Sequence, residues 1–430
     1  MRLFANCLSP VLKFICAHWN TGIVGWRINF LFTEVPMFEF TEEYEPLLRE
    51  VREIAEKVVK PRAKEIEESD EFPLDMANRF FKEGYLQILI PKHLGGMGKD
   101  ITTFCIISEE IAKVSASMAL LLIVQSVGTL PLLLFGSDSQ KTECCSKIPK
   151  DHMIMAFCLT EPLAGSDVGA MQMTATKEGG QYLLNGKKSF VTNGGVADKY
   201  IVFAKTNPPR GRRGISAFVV DKGAPGMTFS SKDDKIGMRG IPSCSISFKE
   251  VPASHRHLIG EEGDGFKIAM ETLNRSRPAI GAQAVGIAES AMEIATLFAM
   301  RRRQFGKPIA KLEGMQFMLA EMATMMESAK ALVYKAAWHL DKDLPHATKY
   351  SAMSKFFASD AAMKITTDAV QILGGYGCLK SGNLERTMRD AKITQIYEGT
   401  NQVQKFVVAE QVIKEFLEKY GMGRDWSEFL

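Results

Sequence analysis

The spacing of apolar residues changes twice along this chain of 430 residues, and this pattern limits the fold more than any other feature. From 38 to about 149, apolar residues recur every three or four positions, as in helices that bury one face. Between about 151 and 260 they follow short strand patterns. After Gly263-Asp264-Gly265 the helical spacing returns and continues to about Tyr420. The sequence therefore predicts a helical, a β and a second helical region, in that order.

A chain of this length exceeds what one hydrophobic core normally holds, so several domains are expected. We predict a multidomain α+β fold with an N-terminal helical domain, a middle antiparallel β domain and a C-terminal four-helix bundle. The predicted domains span 37–150, 151–262 and 263–430. The bundle helices are expected near 266–305, 312–340, 346–374 and 401–419.

Within the β region, Asn185-Gly186 separates two strand patterns, 181–184 and 188–192. Asn-Gly is a strong signal for a two-residue hairpin turn, because both residues tolerate positive φ. We therefore predict a hairpin at this point.

Residues 1–36 differ from the rest, since they contain no Asp or Glu before Glu34 and include Arg2, Lys13 and Arg27. Polar residues interrupt every apolar run there before the roughly 18 residues of a membrane span. The composition matches neither a signal peptide nor a transit peptide well. Two interpretations stay open: a leader, or a disordered or upstream-translated extension before Met37.

Charge and cysteine usage exclude several classes of protein. The net charge is only +3, so no strong field favours nucleic acid. Eight cysteines show no CxxC pair, which argues against a disulfide framework and for a reducing compartment. That compartment is the cytoplasm for a bacterial protein or the mitochondrial matrix for a eukaryotic one. The scattered histidines indicate no metal site.

The segment Tyr397-Glu398-Gly399-Thr400 is the strongest candidate for chemistry. A carboxylate in a partly dry pocket has a raised pKa, so it can remove a proton from a weak carbon acid at neutral pH. Glu398 is therefore predicted to be a general base. The alternative is a solvated turn or a helix N-cap.

Two blocks in the β region have the composition of a flavin site. The loop 157–167 combines small residues with hydroxyl groups, and the strand 189–192 adds an aromatic ring and another hydroxyl. A flavin ring has apolar faces and one polar edge, and such a mixture of residues can hold it. A plain strand-end turn and an ordinary hairpin strand are the alternatives.

Two C-terminal blocks could bind the phosphates and backbone of a dinucleotide. The segment 302–306 contains a guanidinium group, and 371–375 contains an amide followed by Gly374-Gly375. The alternative for the glycine pair is a helix C-cap. No GxGxxG motif follows a strand, so a Rossmann-type nicotinamide site is not supported.

In this order, the blocks LTEPLAGSD, SFVTNGG, RRRQFGKPI, QILGGYG and YEGTNQVQ resemble the acyl-CoA dehydrogenase family, and the similarity covers about 38–416. The resemblance implies FAD-dependent α,β-dehydrogenation of an acyl-CoA thioester to trans-2-enoyl-CoA, as in fatty acid β-oxidation. It also implies FAD bound across a subunit contact of a homotetramer, with electrons passed to an electron-transfer flavoprotein. An acyl-CoA oxidase and a non-catalytic flavoprotein of the same family are the alternatives.

The resemblance assigns roles to individual residues. Glu398 matches the base that removes the α-proton while the β-hydride goes to flavin N5. Positions that match the isoalloxazine site are Phe157, Leu159, Thr160, Ser166, Phe190 and Thr192. Positions that match the pyrophosphate and adenosine half are Arg302, Gln304, Phe305, Thr400 and Gln402, together with Gln371, Gly374 and Gly375 from a neighbouring subunit. The substrate-side positions are Ser166, Asn274, Arg277 and Gly399.

Three positions refine the resemblance. Another branch of the family carries its base at the position of Ser276, so this chain resembles the short- and medium-chain branch. Asn274 stands where many members have Asp, which weakens the case for a carboxylate on the CoA side. Ala119 stands where dicarboxyl-selective relatives place an Arg, which favours an uncharged acyl tail.

Overall fold

The computed structural model describes residues 43–421, and the predictions for residues 1–36 lie outside this range. The N-terminal part is helical. A π-helical turn, Ala55–Val59, joins its first two helices. The helices are α1 (Glu45–Ile54), α2 (Lys60–Ser69), α3 (Leu74–Lys82), α4 (Ile101–Ala112), α5 (Ala116–Phe135), α6 (Asp138–Gln140) and α7 (Lys147–Asp151).

Helix α5 is apolar on all sides and lies inside the protein. It begins at Ser115, whose hydroxyl accepts a hydrogen bond from the Met118 N–H at 3.3 Å, as an N-cap does. Among residues 43–421 this helix alone has the length and hydropathy of a membrane span, with a mean hydropathy of 2.2. Because 83% of that stretch is buried in the protein, its packing is that of a core helix.

The middle part is one mixed sheet. The strands are β1 (Met155–Cys158), β2 (Thr174–Glu178), β3 (Gln181–Thr192), β4 (Lys199–Lys205), β5 (Ile215–Asp221), β6 (Met227–Lys232), β7 (Ser243–Ala253) and β8 (Leu258–Ile259). Their order is β6-β7-β3-β2-β4-β5-β8, and β1 pairs with β4. Most pairs are antiparallel, as expected, whereas β1 and β2 run parallel to β4.

The predicted hairpin at Asn185-Gly186 is wrong, because β3 continues through both residues. The turn between β2 and β3 is formed instead by Gly179 and Gly180, which both have positive φ. At Gly186 the register against β7 shifts, as in a β-bulge, and φ is +147°. A Cβ atom there would lie 2.9 Å from the Met173 Cα, so this glycine permits a close approach of two backbones.

The C-terminal part contains four long helices and one short helix. They are α8 (Gly265–Arg301), α9 (Glu313–Asp341), α10 (Ala347–Leu373), α11 (Leu384–Thr394) and α12 (Asn401–Tyr420). A two-stranded hairpin of β9 (Arg303–Gln304) and β10 (Lys307–Pro308) follows α8. The short helix α11 was not predicted. The fold is thus a helical region, a central sheet and a helical bundle.

Helix α8 packs closely because its buried face consists largely of small residues. A Cβ atom on Gly281 would lie 2.7 Å from a Val333 methyl group on α9, and one on Gly286 would lie 2.3 Å from the Glu109 carbonyl on α4. The helix therefore touches both the N-terminal helices and the rest of the bundle. Ser276 and Arg277 lie on this buried helix.

Candidate active site

Glu398 lies in the turn between α11 and α12, where the backbone reverses sharply. Its φ is +53° and that of Gly399 is +92°, so two successive residues adopt the left-handed region. Such a conformation is strained for a glutamate and persists only where the surroundings enforce it. The Thr400 hydroxyl accepts from the Val403 N–H at 3.3 Å and caps α12 directly after the turn.

The Glu398 carboxylate is enclosed by polar groups on buried helices. Ser276 Oγ on α8 donates a hydrogen bond of 2.6 Å to Glu398 Oε2. Burial raises the pKa of Glu398 to about 7, and the Ser276 hydrogen bond and the positive charges of Arg277 and Lys355 oppose that rise. The carboxylate therefore titrates near neutral pH, as a general base requires.

Two buried cations flank the turn. Arg277 is 3% exposed, donates from Nη1 to Asn274 Oδ1 at 2.8 Å and reaches the Glu398 carbonyl at 3.4 Å. Lys355 on α10 is fully buried and donates to the Gly399 carbonyl at 2.8 Å. Burial lowers the pKa of Arg277 to about 10 and that of Lys355 to about 7, and the negative charge of Glu398 opposes both decreases, so an ionised Glu398 favours the charged form of Lys355.

Tyr397 ties the turn to the N-terminal helices. Its hydroxyl donates to Oε1 of Gln283, a fully buried residue of α8. Gln283 Nε2 in turn donates to the Ala116 carbonyl at the start of α5, at 2.7 Å. The base is thus held from three sides: by α8, by α10 and, through Gln283, by α5.

The Glu398 N–H has no acceptor among residues 43–421. The carbonyls of Glu398 and Gly399, by contrast, both accept hydrogen bonds, from Arg277 and Lys355 respectively. The Gly399 carbonyl accepts from Lys355 Nζ and from Gln404 Nε2 at 3.0 Å. A backbone donor next to a half-buried carboxylate can bind a ligand carbonyl.

The residues predicted to hold the isoalloxazine lie on two adjacent segments. The Ser189 N–H donates to the Thr160 carbonyl at 2.9 Å and joins the loop after β1 to strand β3. The ring of Phe190 is 71% exposed at a residue with φ of +54°. Phe157 packs on Phe203, with ring centroids 4.9 Å apart. Leu159, Thr160 and Thr192 are half-buried, and Ser166 is exposed.

These two segments present apolar surface beside hydroxyl groups, which fits a flat flavin ring. The exposed ring of Phe190 is available to pack on the face of a bound flavin. The donor set therefore suits the cofactor that the resemblance implies.

An ion pair beneath this surface was missed by the sequence reasoning. Lys188 Nζ, fully buried in β3, donates to Glu161 Oε1 at 2.8 Å and to the Leu159 carbonyl at 3.0 Å. Glu161 also accepts from the backbone N–H groups of Gln172 and Met173 at 2.6 and 3.0 Å. Lys188 lies an even number of positions from Tyr182 and Leu184, which are also buried in β3. Because side chains alternate between the two faces of a strand, this spacing could have predicted its inward position.

The residues predicted for the adenosine half lie on an exposed face. Arg302, Gln304 and Phe305 belong to the turn and hairpin after α8, and Phe305 is 89% exposed. The Arg302 guanidinium lies 6.0 Å from the ring centroid of Tyr376, which follows Gly374-Gly375 in the same chain. A Cβ atom at either glycine would meet open space. Gln371 and Gln402 are exposed as well.

That Gln371, Gly374 and Gly375 bind FAD from a neighbouring subunit stays a prediction. Among residues 43–421 no group of three His, Cys, Asp or Glu side chains is arranged to hold a metal ion.

Lys355 was also missed. A signal exists in the sequence, because Ser351, Lys355, Ser359 and Ala362 recur at helical spacing on the face of α10 that becomes buried. A lysine on such a face needs an acceptor within the protein.

Sequence models of known families match nearly all of the described residues. Those for the acyl-CoA dehydrogenase N-terminal, middle and C-terminal domains match 41–150, 156–251 and 263–413.

Two curated relatives are similar over their length. An acyl-CoA dehydrogenase of Bacillus subtilis is 45% identical over 374 residues, which are 87% of this chain and 98% of the relative. A cyclohex-1-ene-1-carbonyl-CoA dehydrogenase of Syntrophus aciditrophicus is 45% identical over 378 residues, 88% of this chain and 91% of the relative.

Solved structures share the fold. Butyryl-CoA dehydrogenase from Megasphaera elsdenii has a TM-score of 0.85 and 39% identity, covering 88% of this chain and all of that chain. A chain from work on the electron transferring flavoprotein of Acidaminococcus fermentans has a TM-score of 0.85, 41% identity and the same coverage. The FAD complex of PigA also has a TM-score of 0.85, at 27% identity and with the same coverage.

Proposed function

The chain belongs to the acyl-CoA dehydrogenase family of FAD-dependent oxidoreductases, and we propose that it oxidises an acyl-CoA thioester to the trans-2-enoyl-CoA with Glu398 as the base. The observation that carries the proposal is the half-buried Glu398 carboxylate, which accepts a 2.6 Å hydrogen bond from Ser276 and whose pKa burial raises to about 7. A carboxylate with an ordinary pKa would be too weak a base for this carbon acid.

In the turn, the backbone N–H of Glu398 binds the substrate and its carboxylate removes the proton. The free N–H of Glu398 donates to the thioester carbonyl and so makes the α-carbon more acidic. The carboxylate then takes the α-proton, and the positive charge of Arg277 favours its ionised form before the transfer. Phe157, Thr160, Phe190 and Thr192 would hold FAD, and the bound cofactor would supply the acceptor for the hydride of the β-carbon. Closing the site against water strengthens each of these interactions.

We propose an uncharged acyl tail for the substrate. Ala119 and the residues that follow it to Ile123 are buried apolar side chains of α5. The amide of Gln125 is not free to bind a substrate, because it donates to the Met153 carbonyl at 3.0 Å and accepts from the Met155 N–H at 2.9 Å. Of two relatives with 45% identity, one is named for a cyclohexene-carbonyl thioester and the other only as an acyl-CoA dehydrogenase, so we propose that the shape of the cavity decides the length and branching of the tail.

The proposed electron acceptor is an electron-transfer flavoprotein, as the family resemblance implies. One similar solved structure also comes from a study of an electron transferring flavoprotein. An acyl-CoA oxidase is the second candidate. The two differ in how the substrate-reduced enzyme is reoxidised: rapidly by air in an oxidase, and only by the flavoprotein in a dehydrogenase. The proposed assembly is a homotetramer in a reducing compartment.

The test is anaerobic mixing of the purified, FAD-loaded protein with a panel of acyl-CoAs while the flavin absorbance at ~450 nm is followed. We expect bleaching with at least one saturated, uncharged acyl-CoA and slow reoxidation in air. Glu398→Gln should bind FAD and fold, with bleaching slowed by several orders of magnitude. Rapid bleaching in that variant would rule out Glu398 as the base, and no bleaching of the wild type by any thioester would rule out the reaction.

A further inference from the structure

Lys355 is a buried cation that the reaction itself does not use. It lies in the middle of α10, and its side chain is fully buried. Removing an ammonium group from water is unfavourable unless hydrogen bonds and an opposite charge compensate. Its Nζ donates to the Gly399 carbonyl at 2.8 Å and to Asn401 Oδ1 at 2.9 Å. These two acceptors lie on either side of Thr400, at the end of the turn that carries the base.

Asn401 is itself fixed, so the link from Lys355 is rigid. Its Nδ2 donates to Ser359 Oγ at 2.8 Å and to Asp360 Oδ1 at 2.7 Å, and both residues are on α10. The turn is therefore bound to one helix through a backbone carbonyl and a side chain. Two left-handed residues in succession need such an external constraint.

Hydrogen bonding alone does not account for Lys355, because the Gly399 carbonyl also accepts from Gln404 Nε2 at 3.0 Å. Gln404 would therefore still hold this carbonyl if an apolar residue replaced Lys355. What Lys355 adds is a positive charge beside the base. The charged groups that face it are Glu398 in the turn, Arg277 on α8 and Asp360 on α10. Lys405 of α12 lies 3.4 Å from Asp360 Oδ2.

We propose that Lys355 is a positioning residue, which holds the 398–401 turn in its strained form and keeps the Glu398 carboxylate ionised until it receives the proton. The proposal deepens the proposed function, because it assumes that Glu398 is the base. Arg277 acts on the other side of the turn, where it contacts the Glu398 carbonyl at 3.4 Å. The two cations thus contact the backbone of the turn at Glu398 and at Gly399, and their charges favour the ionised carboxylate where burial favours the neutral form.

The experiment compares Lys355→Met and Lys355→Gln with Lys364→Met in the FAD-loaded protein. Lys364 is a matched control, since it lies on the same helix but is exposed and pairs with Asp368. Two readouts need no substrate: hydrogen exchange of the peptide 396–403, and the pH titration of the Glu398 carboxyl infrared band, assigned by its loss in Glu398→Gln. The third readout is kcat and KM for an acyl-CoA that reduces the wild type.

We expect roughly tenfold faster exchange in Lys355→Met, since a hydrogen bond to a charged group has been lost. The carboxyl titration should move to higher pH by about one unit in both Lys355 variants, because both remove the positive charge. Lys355→Gln keeps a donor and should exchange more slowly than Lys355→Met. A displaced base should lower kcat by about 10²-fold with little change in KM. Lys364→Met should match the wild type in all three readouts.

Unchanged exchange and unchanged titration in the Lys355 variants would overturn the proposal. So would a lower melting temperature with a normal titration and normal kcat, because Lys355 would then be only structural. If Lys355→Met does not fold, Lys355→Gln still decides the question through its titration. If no acyl-CoA reduces the wild type, the proposed function fails, while the two substrate-free readouts still test the role of Lys355.

Discussion

Ser276 Oγ on α8 donates a 2.6 Å hydrogen bond to Oε2 of Glu398, a residue 122 positions further along the chain. Ser276 is fully buried, so the bond is not exchanged for one to water. A hydroxyl that donates to a carboxylate stabilises its charged form and lowers its pKa. The serine therefore offsets part of the increase that burial causes.

Replacing Ser276 by Ala should raise the pKa of Glu398 above about 7 and move the acid limb of the kcat/KM profile to higher pH. Loss of one charge-assisted hydrogen bond corresponds to about one pH unit. The activity at pH 6 should fall more than the activity at pH 9. Steady-state kinetics between these two pH values measure the shift.

Ser354→Ala is the matched control for this substitution. Ser354 is also fully buried, and its hydroxyl donates to the Ser351 carbonyl at 2.9 Å on α10. Its profile should coincide with that of the wild type. Equal shifts in the two variants would mean that the change comes from packing and not from the Ser276 hydrogen bond.

Lys188→Met should weaken both the fold of the β region and the retention of FAD. The substitution leaves Glu161 buried without its cation, and breaking a buried pair in this way typically costs about 3–5 kcal/mol. Because Glu161 holds the loop 157–167 through the backbone of Gln172 and Met173, the flavin side of the site should loosen as well. Thermal unfolding and the FAD content after gel filtration measure the two effects.

Lys187→Met provides the comparison, since Lys187 precedes Lys188 but faces solvent. Its unfolding temperature and FAD content should stay within error of the wild type. A Lys188→Met protein that keeps both properties would show that the loop is held by other contacts.

Gly399→Ala should abolish most of the activity. The glycine has a φ of +92°, and a Cβ atom there would lie 2.5 Å from Gln404 Nε2, which binds the turn. Gln404 is fully buried, and moving its amide away would break its hydrogen bond to the Gly399 carbonyl. We expect kcat to fall by about 10²-fold, as for other small displacements of reacting groups.

Gly223→Ala separates the clash from the backbone strain. Gly223 has a similar φ of +80°, but a Cβ atom there would meet nothing within 4 Å. Both variants should lose about 1 kcal/mol of stability from the positive φ. Only Gly399→Ala should lose activity, and an equal loss in Gly223→Ala would contradict the assigned role of the turn.

The order of helical and β regions could be predicted because the spacing of apolar residues is a local property of the sequence. The local sequence could not show whether the chain turns at Asn185-Gly186 or continues as a strand. The turn propensity of this pair is local, whereas the pairing of β3 with β7 along its whole length depends on residues about 60 positions away. The same holds for the parallel pairing of β1 with β4, which joins segments more than 40 positions apart.

For the site, the resemblance identified Glu398, Asn274 and Arg277, and the structure brings these three together around one turn. Lys355 was not predicted, because its acceptors Gly399 and Asn401 follow it by 44 and 46 positions. A single motif does not show which distant helix will supply such a cation. The one local indication of this role was the position of the lysine on the face of α10 that otherwise carries small residues.

The raised pKa of Glu398 also predicts how its replacement affects stability at different pH values. The folded-state pKa of about 7 lies above the 4.5 of an exposed Glu, so the folded protein binds the proton more tightly than the unfolded chain. The contribution of this proton to stability is complete below pH about 4.5 and is lost as pH rises through about 7. Above that pH the buried charge destabilises the fold by roughly 3 kcal/mol at most.

Glu398→Gln removes this charge while it keeps the shape of the side chain. The variant should therefore unfold at a higher temperature than the wild type at pH 8.5, and the difference should shrink towards pH 5. Differential scanning calorimetry of the FAD-loaded proteins across this range measures it. A difference that does not depend on pH would mean that the carboxylate is already charged at pH 5, which is incompatible with a base that titrates near neutrality.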